Sequence, residues 1–363
     1  MGSIKDKCAI VGMGCSKFGE RWDCGFDDLV VEAGFEAYED AGIGYKDIDA
    51  AWIGITTSSR SGEALSRPLK LDYIPITHVN NNCGSALEAL RNGCFAIAAG
   101  VYDVVLAVGA DKLKDSGFRG LRTSGDTGYW RPLEDYGFGA PGWYALAATR
   151  YFNAYGIEPQ KGKEALAKIA VKNHHNGTLS PKAHMRVEIT VERAMKAPLI
   201  AWPLGLFDCC PVTDGSAAAI ITRADLAKKF RDDYVLVKGL GCSVGPGFGR
   251  FDTDYDYIHF EEAGRSAKMA YADAGIKDPR KELDLAGIHD AFTIAELLEY
   301  EGLGFSPKGE AIKDVDANTF ALDGELPVNT DGGLKAFGHP IGATGLRVIY
   351  ELYKQIQGKA DRR

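Results

Sequence analysis

No stretch of this chain carries the roughly 18 consecutive apolar residues that a membrane-spanning helix needs. The start, Met1-Gly2-Ser3-Ile4-Lys5-Asp6-Lys7, has no apolar signal core behind its charges. No membrane role is expected, and the expected compartment is the cytoplasm. Cys-x-x-Cys pairs are missing as well. The eight cysteines (residues 8, 15, 24, 83, 94, 209, 210 and 242) are scattered, so neither a zinc site nor a disulfide framework is indicated, and reduced thiols are expected. Basic charge is scarce: the net charge is −8, which argues against nucleic acid or a membrane surface as a partner, because both need a basic face. With 45% hydrophobic and 25% charged residues the composition is neither disordered nor fibrous, and 363 residues suffice for one large core or two.

What is present is a cysteine in a telling place. An extended run, Thr77-His78-Val79-Asn80-Asn81-Asn82, leads without a turn signal to Cys83 and then to a helix-like stretch, Ser85-Ala86-Leu87-Glu88-Ala89-Leu90-Arg91. A sulfur at a strand-to-helix junction lies near the unpaired N–H groups of the helix, which favours thiolate over thiol. The small neighbours Gly84, Ser85 and Ala86 allow a carbonyl to approach and leave N–H groups for an oxyanion. The alternative for this segment alone is a buried packing cysteine.

The chain also repeats itself. Ala37-Tyr38-Glu39-Asp40-Ala41-Gly42-Ile43 recurs as Ala270-Tyr271-Ala272-Asp273-Ala274-Gly275-Ile276, and each copy runs gaplessly to a buried strand pattern, Trp52-Ile53-Gly54-Ile55 and Leu285-Ala286-Gly287-Ile288. Upstream, Gly12-Met13-Gly14-Cys15-Ser16 matches Gly239-Leu240-Gly241-Cys242-Ser243. Two ordered matches imply two homologous α/β halves with parallel strands joined by helices, residues 1–232 and 233–363. The repeat also removes a dinucleotide-binding reading of Gly12-x-Gly14, where Lys17 already replaces the third glycine; a structural turn is expected instead. Under the gapless offset His289 corresponds to Thr56, at a strand end, where open α/β sheets place their chemistry.

The first half continues into a buried strand over 101–109 and resumes with another at 216–222. Between them, from about Lys112 to Gly205, lies an inserted loop region with helices of its own, one around Glu164 to Lys172. Eight Lys/Arg against four Glu between Tyr151 and Gly205 suit an anionic ligand such as a phosphate-bearing cofactor, although composition alone favours a solvated basic face. His174, His175 and His184 lack a ligand spacing, so no metal is expected. In the second half Gly338-His339-Pro340-Ile341-Gly342-Ala343-Thr344-Gly345 precedes a helix pattern, as Cys83 does in the first. The two strands that follow the matching helix in the first half have no counterpart before Arg363, so a second sheet completed by another chain, or a shortened one, is the expectation.

Cys83, His289 and His339 thus fall at strand or helix ends facing one region. A thiol, an imidazole to take its proton and oriented donors for an oxyanion are the minimum for covalent acyl chemistry. On Val79-Asn80-Asn81-Asn82-Cys83, His289-Asp290-Ala291-Phe292 and Gly333-Leu334-Lys335-Ala336-Phe337-Gly338-His339-Pro340-Ile341-Gly342-Ala343-Thr344-Gly345, the chain resembles the thiolase superfamily. The likeness extends over nearly the whole length, through Asp208-Cys209-Cys210-Pro211-Val212-Thr213-Asp214-Gly215, and its HDxF block looks most like the sterol-carrier-protein-x and archaeal branch.

That resemblance implies a five-layered α-β-α-β-α fold, a homodimer, and acyl-CoA thioesters with coenzyme A as co-substrate and no bound cofactor. It implies Cys83 as acyl-accepting nucleophile, His339 as its base, and His289 as the holder of a water or donor to the thioester oxygen. Backbone N–H groups near Cys83 and in the turn from Gly342 to Gly345 are the implied oxyanion donors. It also exposes a gap: the second cysteine that thiolases use on the enolate carbon is Ala291 here, and no C-terminal Cys-x-Gly is present. Cys209 and Cys210 qualify only by residue type, and packing explains them better. Relatives with HDAF resemble chains that work beside a small zinc-ribbon/OB-fold protein, such as acetoacetyl-CoA and benzoylsuccinyl-CoA thiolases. The insert's Phe118, Tyr129, Trp130, Tyr136, Phe138, Trp143 and Tyr144 could line a pocket for an aromatic acyl group or simply fill core. Two other readings stay open: a condensing acyltransferase that does not use free coenzyme A, and a non-catalytic subunit that binds a coenzyme A ester.

Overall fold

The computed structural model describes residues 3–57, 61–116, 139–245 and 256–363. Its strands are β1 (Cys8–Cys15), β2 (Ala50–Gly54), β3 (Ile76–Val79), β4 (Val104–Asp111), β5 (Leu199–Ala201), β6 (Leu204–Gly205), β7 (Gly215–Arg223) and β8 (Val235–Leu236). The helices of the first half and insert are α1 (Phe26–Ala41), α2 (Glu63–Leu69), α3 (Ser85–Ala98), α4 (Gly139–Ala154), α5 (Pro159–Leu179) and α6 (Val191–Met195). Those of the second half are α7 (Glu261–Ala274), α8 (Pro279–Glu282), α9 (Thr293–Gly302), α10 (Ala311–Asp316), α11 (Gly333–Ala336) and α12 (Thr344–Ile356).

Six strands form one sheet in the order β3-β2-β4-β7-β1-β8. β2 runs parallel to β3 and β4, whereas β7 is antiparallel to both β4 and β1. The sheet is therefore mixed, not wholly parallel as the repeat alone implied. The reason is connectivity: β7 arrives after the long insert and need not obey the crossover geometry of a short βαβ unit. Every residue of β1 and β4 is buried, which requires helices on both faces. On one face Ile53, Leu106 and Val108 pack with Val30, Ala33 and Leu65 of α1 and α2. On the other, Val105 and Ala107 pack with Leu90 and Cys94 of α3 and with Leu346 and Tyr353 of α12. A helix of the second half thus covers the sheet of the first.

The duplication is written into the packing. Gly12 and Gly14 lie inside β1, not in the turn anticipated for them, and β1 shifts register between Ile10 and Gly12. A Cβ on Gly14 would sit 2.0 Å from the Ala33 carbonyl oxygen, and one on Gly12 2.6 Å from that of Ala37. In the second half a Cβ on Gly241 would meet the Ser266 carbonyl oxygen at 1.8 Å and one on Gly239 that of Ala270 at 2.2 Å. Both pairs let a helix lie directly on the backbone that carries them, which in the first half is a strand. The copies differ in cover: α1 buries seven residues, α7 none. Around α7 the described residues give only β8, which joins the first sheet through β1, and a single parallel bridge between Ala286 and Val328. The insert supplies α5, 21 residues long and centred on the stretch expected to be helical, and the small β5–β6 ribbon.

Gly14→Ala is expected to lower stability by about 1–3 kcal/mol or to prevent folding, because the methyl has no room against the backbone of α1. Gly19→Ala, with open space around its Cβ position, serves as the control in the same thermal melt. Equal melting temperatures for the two variants would remove the close-packing role.

Candidate active site

The turn that carries Cys83 is built by its neighbours. β3 ends at Val79, and Asn82 adopts a left-handed φ of 47°, a conformation asparagine tolerates better than most side chains. Ser85 locks the turn: its Oγ accepts from the Asn81 N–H at 2.8 Å and donates to the Asn82 carbonyl at 2.7 Å. α3 then starts at once, leaving Cys83 at the mouth of the helix. Beneath it, Gly54 closes β2, and a Cβ there would lie 2.7 Å from the Ser85 carbonyl carbon.

The histidines come from the second half. His289 follows the segment bridged at Ala286, and its backbone N–H donates to Glu299 at 2.9 Å. Asp290 next to it accepts from the N–H groups of Leu334 at 2.6 Å and Lys335 at 3.0 Å and from the Asn173 amide at 2.8 Å, tying the HDAF block to the block that carries His339. His339 itself bridges to Val212. The result is convergence: Cys83 Sγ lies 3.4 Å from His339 Nε2, the two imidazoles cross at 82° with centroids 5.2 Å apart, and the reactive atoms of the trio all lie within 4.8 Å of one another.

The tautomer of His339 follows from hydrogen bonding. Thr344 Oγ1 donates its proton to the Pro340 carbonyl at 2.9 Å and lies 2.6 Å from His339 Nδ1. It must therefore accept from Nδ1–H, which leaves the Nε2 lone pair aimed at the Cys83 sulfur.

Electrostatics overturn one expectation. Burial pushes the Cys83 thiol up to about 12, and the nearby Asp111 carboxylate adds to the effect. Desolvation outweighs the helix terminus, so the resting sulfur is a thiol, not a thiolate. Burial holds His339 well below the ordinary histidine value, helped by His289 and Arg347; burial and then Arg347 hold His289 down to about 4. The pair is therefore neutral at rest, a thiol facing an imidazole nitrogen that is free to accept its proton.

The Gly342 expectation needs correction too. The Gly342 N–H donates to Asp111 Oδ2 at 2.5 Å, so it has no free proton for an oxyanion. Gly345 is a packing glycine: a Cβ there would lie 2.5 Å from Leu87 Cγ, between α12 and α3. Asp111 was missed by sequence reading although it ends β4. Its carboxylate also takes the backbone N–H and hydroxyl of both Thr56 and Thr57. The insert meets the HDAF block through Tyr144, stacked on Phe292 at 4.4 Å; Phe118, Tyr129, Trp130, Tyr136 and Phe138 lie outside the described residues. His174, His175 and His184 bond to Val187, Glu188 and Thr213, structural partners all.

A cysteine beside a tautomer-locked imidazole on a mixed α/β sheet is the arrangement that acyl transfer through a cysteine nucleophile needs. Comparison with known proteins makes the class specific. Residues 8–225 match the model of the thiolase N-terminal domain and residues 251–363 that of the thiolase C-terminal domain-like family, and the chain belongs to the thiolase family. It is 35% identical to an acetyl-CoA acetyltransferase of Methanothermobacter thermautotrophicus, over 98% of this chain and 92% of that protein. It is 31% identical to sterol carrier protein 2 of Gallus gallus, over 98% of this chain and 66% of that longer protein. Among solved structures, an Ltp2–ChsH2(DUF35) aldolase superposes with a TM-score of 0.87 at 25% identity, covering 98% of this chain and 91% of that one. The sterol-carrier-type branch, the thiolase fold and an acyltransferase activity with coenzyme A as substrate are thereby shown. No helix among the described residues is long and apolar enough to cross a membrane.

Thr344→Val, which removes the acceptor for Nδ1–H, is expected to lower kcat/KM by about 10–100-fold, the usual cost of losing such a support, while Thr344→Ser retains activity. Because His339 is held below its ordinary value, it stays a base on acidification, and kcat/KM should hold its plateau to below pH 6.5. An acid limb at or above pH 6.5 would contradict the buried neutral imidazole.

Proposed function

We propose that this protein thiolyses a 3-oxoacyl-CoA, or forms one in the reverse Claisen direction, through an acyl-enzyme on Cys83. The single observation that carries the reading is the 3.4 Å approach of Cys83 Sγ to His339 Nε2 with Nδ1–H anchored on Thr344. In cleavage the sulfur attacks the β-carbonyl while Nε2 takes its proton. His289, side-on to His339, stabilises the thioester oxygen directly or through a water. Coenzyme A then removes the acyl group from Cys83.

The acyl group is the finer part of the proposal. The relatives named acetyl-CoA acetyltransferase favour a short acyl product. Tyr144 stacked on Phe292 supports a site that also accepts an aromatic acyl chain, such as that of benzoylsuccinyl-CoA. The likeness to a protein solved as an aldolase with a DUF35 partner supports a small partner subunit for this chain, in addition to a homodimeric core. Eight free cysteines are consistent with a reducing, cytoplasmic setting. The halves are taken as 1–232 and 233–363. A condensing acyltransferase that bypasses free coenzyme A would use the same Cys83–His339 pair, and the need for coenzyme A in product formation separates the two.

Incubating the purified protein with a panel of 3-oxoacyl-CoA thioesters, acetoacetyl-CoA and an aromatic member included, should yield acyl-CoA products only with added coenzyme A. Intact-mass spectrometry should show an acyl adduct on Cys83. Cys83→Ala is expected to remove both adduct and turnover, by at least about a thousandfold in rate. Turnover that survives in Cys83→Ala would sink the acyl-enzyme reading.

A further inference from the structure

The retro-Claisen step leaves a carbanion equivalent that must be protonated, and His339, charged by the Cys83 proton, is committed to returning that proton to sulfur. A second acid would let His339 keep that proton for the sulfur. His289 is held as a neutral imidazole, and position 291 is alanine, which has no proton to give. Two thiols, Cys209 and Cys210, lie between the two histidine segments. The chain from Cys209 to Val212 is threaded between them: Cys209 bridges to Phe292, the Cys210 N–H donates to the Ala291 carbonyl at 2.9 Å, and Val212 bridges to His339. Val212 packs on the small cluster of Leu113 and Ile341 that also receives Cys83. Cys210 itself packs against the core that holds Ala291 and Phe292, directly after His289 and Asp290, and Cys83 is among the groups close enough to act on its thiol.

We propose that Cys210 is the second acid/base of this enzyme, giving its S–H proton to the α-carbon of the departing acyl-CoA enolate. The inference rests on the thiolysis reading above. The protons balance. Cys83 S–H goes to His339 as the C–S bond to the β-carbon forms; the carbon–carbon bond breaks, its electron pair passes to the α-carbon, and that carbon takes the Cys210 proton. Coenzyme A then loses its thiol proton to the Cys210 thiolate and attacks the Cys83 thioester, and the Cys83 sulfur leaves with the proton from His339.

Two further observations fit. Burial raises the Cys210 thiol above its ordinary value, and the nearest charges that act on it are those of Lys335, Cys209, Cys83 and Asp290. A thiol kept protonated at rest is the form an acid requires. Lys335 is itself buried, 3% exposed, with Nζ 3.5 Å from His174 Nε2, and its charge lowers the Cys210 value, which is the direction that stabilises the thiolate formed during the step. Cys209 is a weaker candidate, because its Sγ turns to the Gly205 carbonyl at 3.5 Å.

The test separates the two half-reactions. Cys83 acylation by the acyl-CoA product needs no carbon acid, whereas thiolysis and the exchange of the product's α-protons with D2O both do. Cys210→Ala and the near-isosteric Cys210→Ser should acylate Cys83 at rates within a few-fold of wild type, followed by intact mass. Both should lose thiolysis by about 100-fold or more and lose α-proton exchange followed by proton NMR, with the serine variant losing no more than the alanine one. Wild-type thiolysis or exchange in Cys210→Ala overturns the proposal. So does a folded Cys210→Ser in which acylation falls as far as thiolysis, since that is what a packing role would do. A wild-type protein that never acylates Cys83 would fail the thiolysis reading itself, a result distinct from either.

Discussion

The buried carboxylate of Asp111 is the constraint on which the site depends. It stands at the end of β4, fully buried, and takes five hydrogen bonds: two from backbone N–H groups and two from hydroxyls of Thr56 and Thr57, and one from Gly342. The first four fasten the ends of β2 and β4 together. The fifth fastens the turn that follows His339 to them. Cys83 belongs to the first half and His339 to the second, so this lock, together with the packing of α12 on the first-half sheet, holds their 3.4 Å approach. A buried carboxylate with every lone pair used by fixed donors gives a joint that does not slide, whereas an apolar contact would tolerate sliding.

The lock has an electrostatic consequence. The charge that joins the halves lies close enough to Cys83 to oppose ionisation, and burial acts in the same direction. A nucleophile in a charged thiolate–imidazolium pair would be reactive at all times. Here both partners are neutral at rest, so in the proposed mechanism reactivity is coupled to the arrival of a carbonyl. The Thr344 hydroxyl makes this workable, because it holds His339 in the tautomer that can accept. The geometry of the pair is fixed in advance, and only the proton moves.

Much of this was legible in the sequence, for reasons that can be traced. Cys83 announced itself by a change of period at a strand–helix junction. His289 and His339 were reached through the internal repeat, whose gapless offset transfers a strand end in one half to the other. The repeat also correctly denied a nucleotide to Gly12-x-Gly14, yet it misjudged the local form: the glycines are in a strand because helix α1 lies on them, and only the carbonyls of Ala33 and Ala37 reveal that. Charge states were not legible. The helix-terminus rule favours thiolate, and it lost because it counts dipoles and ignores desolvation, which depends on neighbours far away in the chain. Gly342 failed as an oxyanion donor for the same reason: its N–H is spent on Asp111, 231 residues away.

Cys210 shows the same limit from the opposite direction. By composition alone a cysteine between Cys209 and Pro211 is a packing residue, and nothing in its immediate sequence says otherwise. Its neighbours in space do, because its segment is hydrogen-bonded on one side to the residues after His289 and on the other to His339. An active site assembled at a seam between two halves draws on whatever backbone is threaded through that seam. The chemistry asks for a proton near the α-carbon, not for a particular position in the chain. A thiol displaced from the HDxF block to an adjacent segment can meet that demand as long as the seam keeps it within reach of the same carbon.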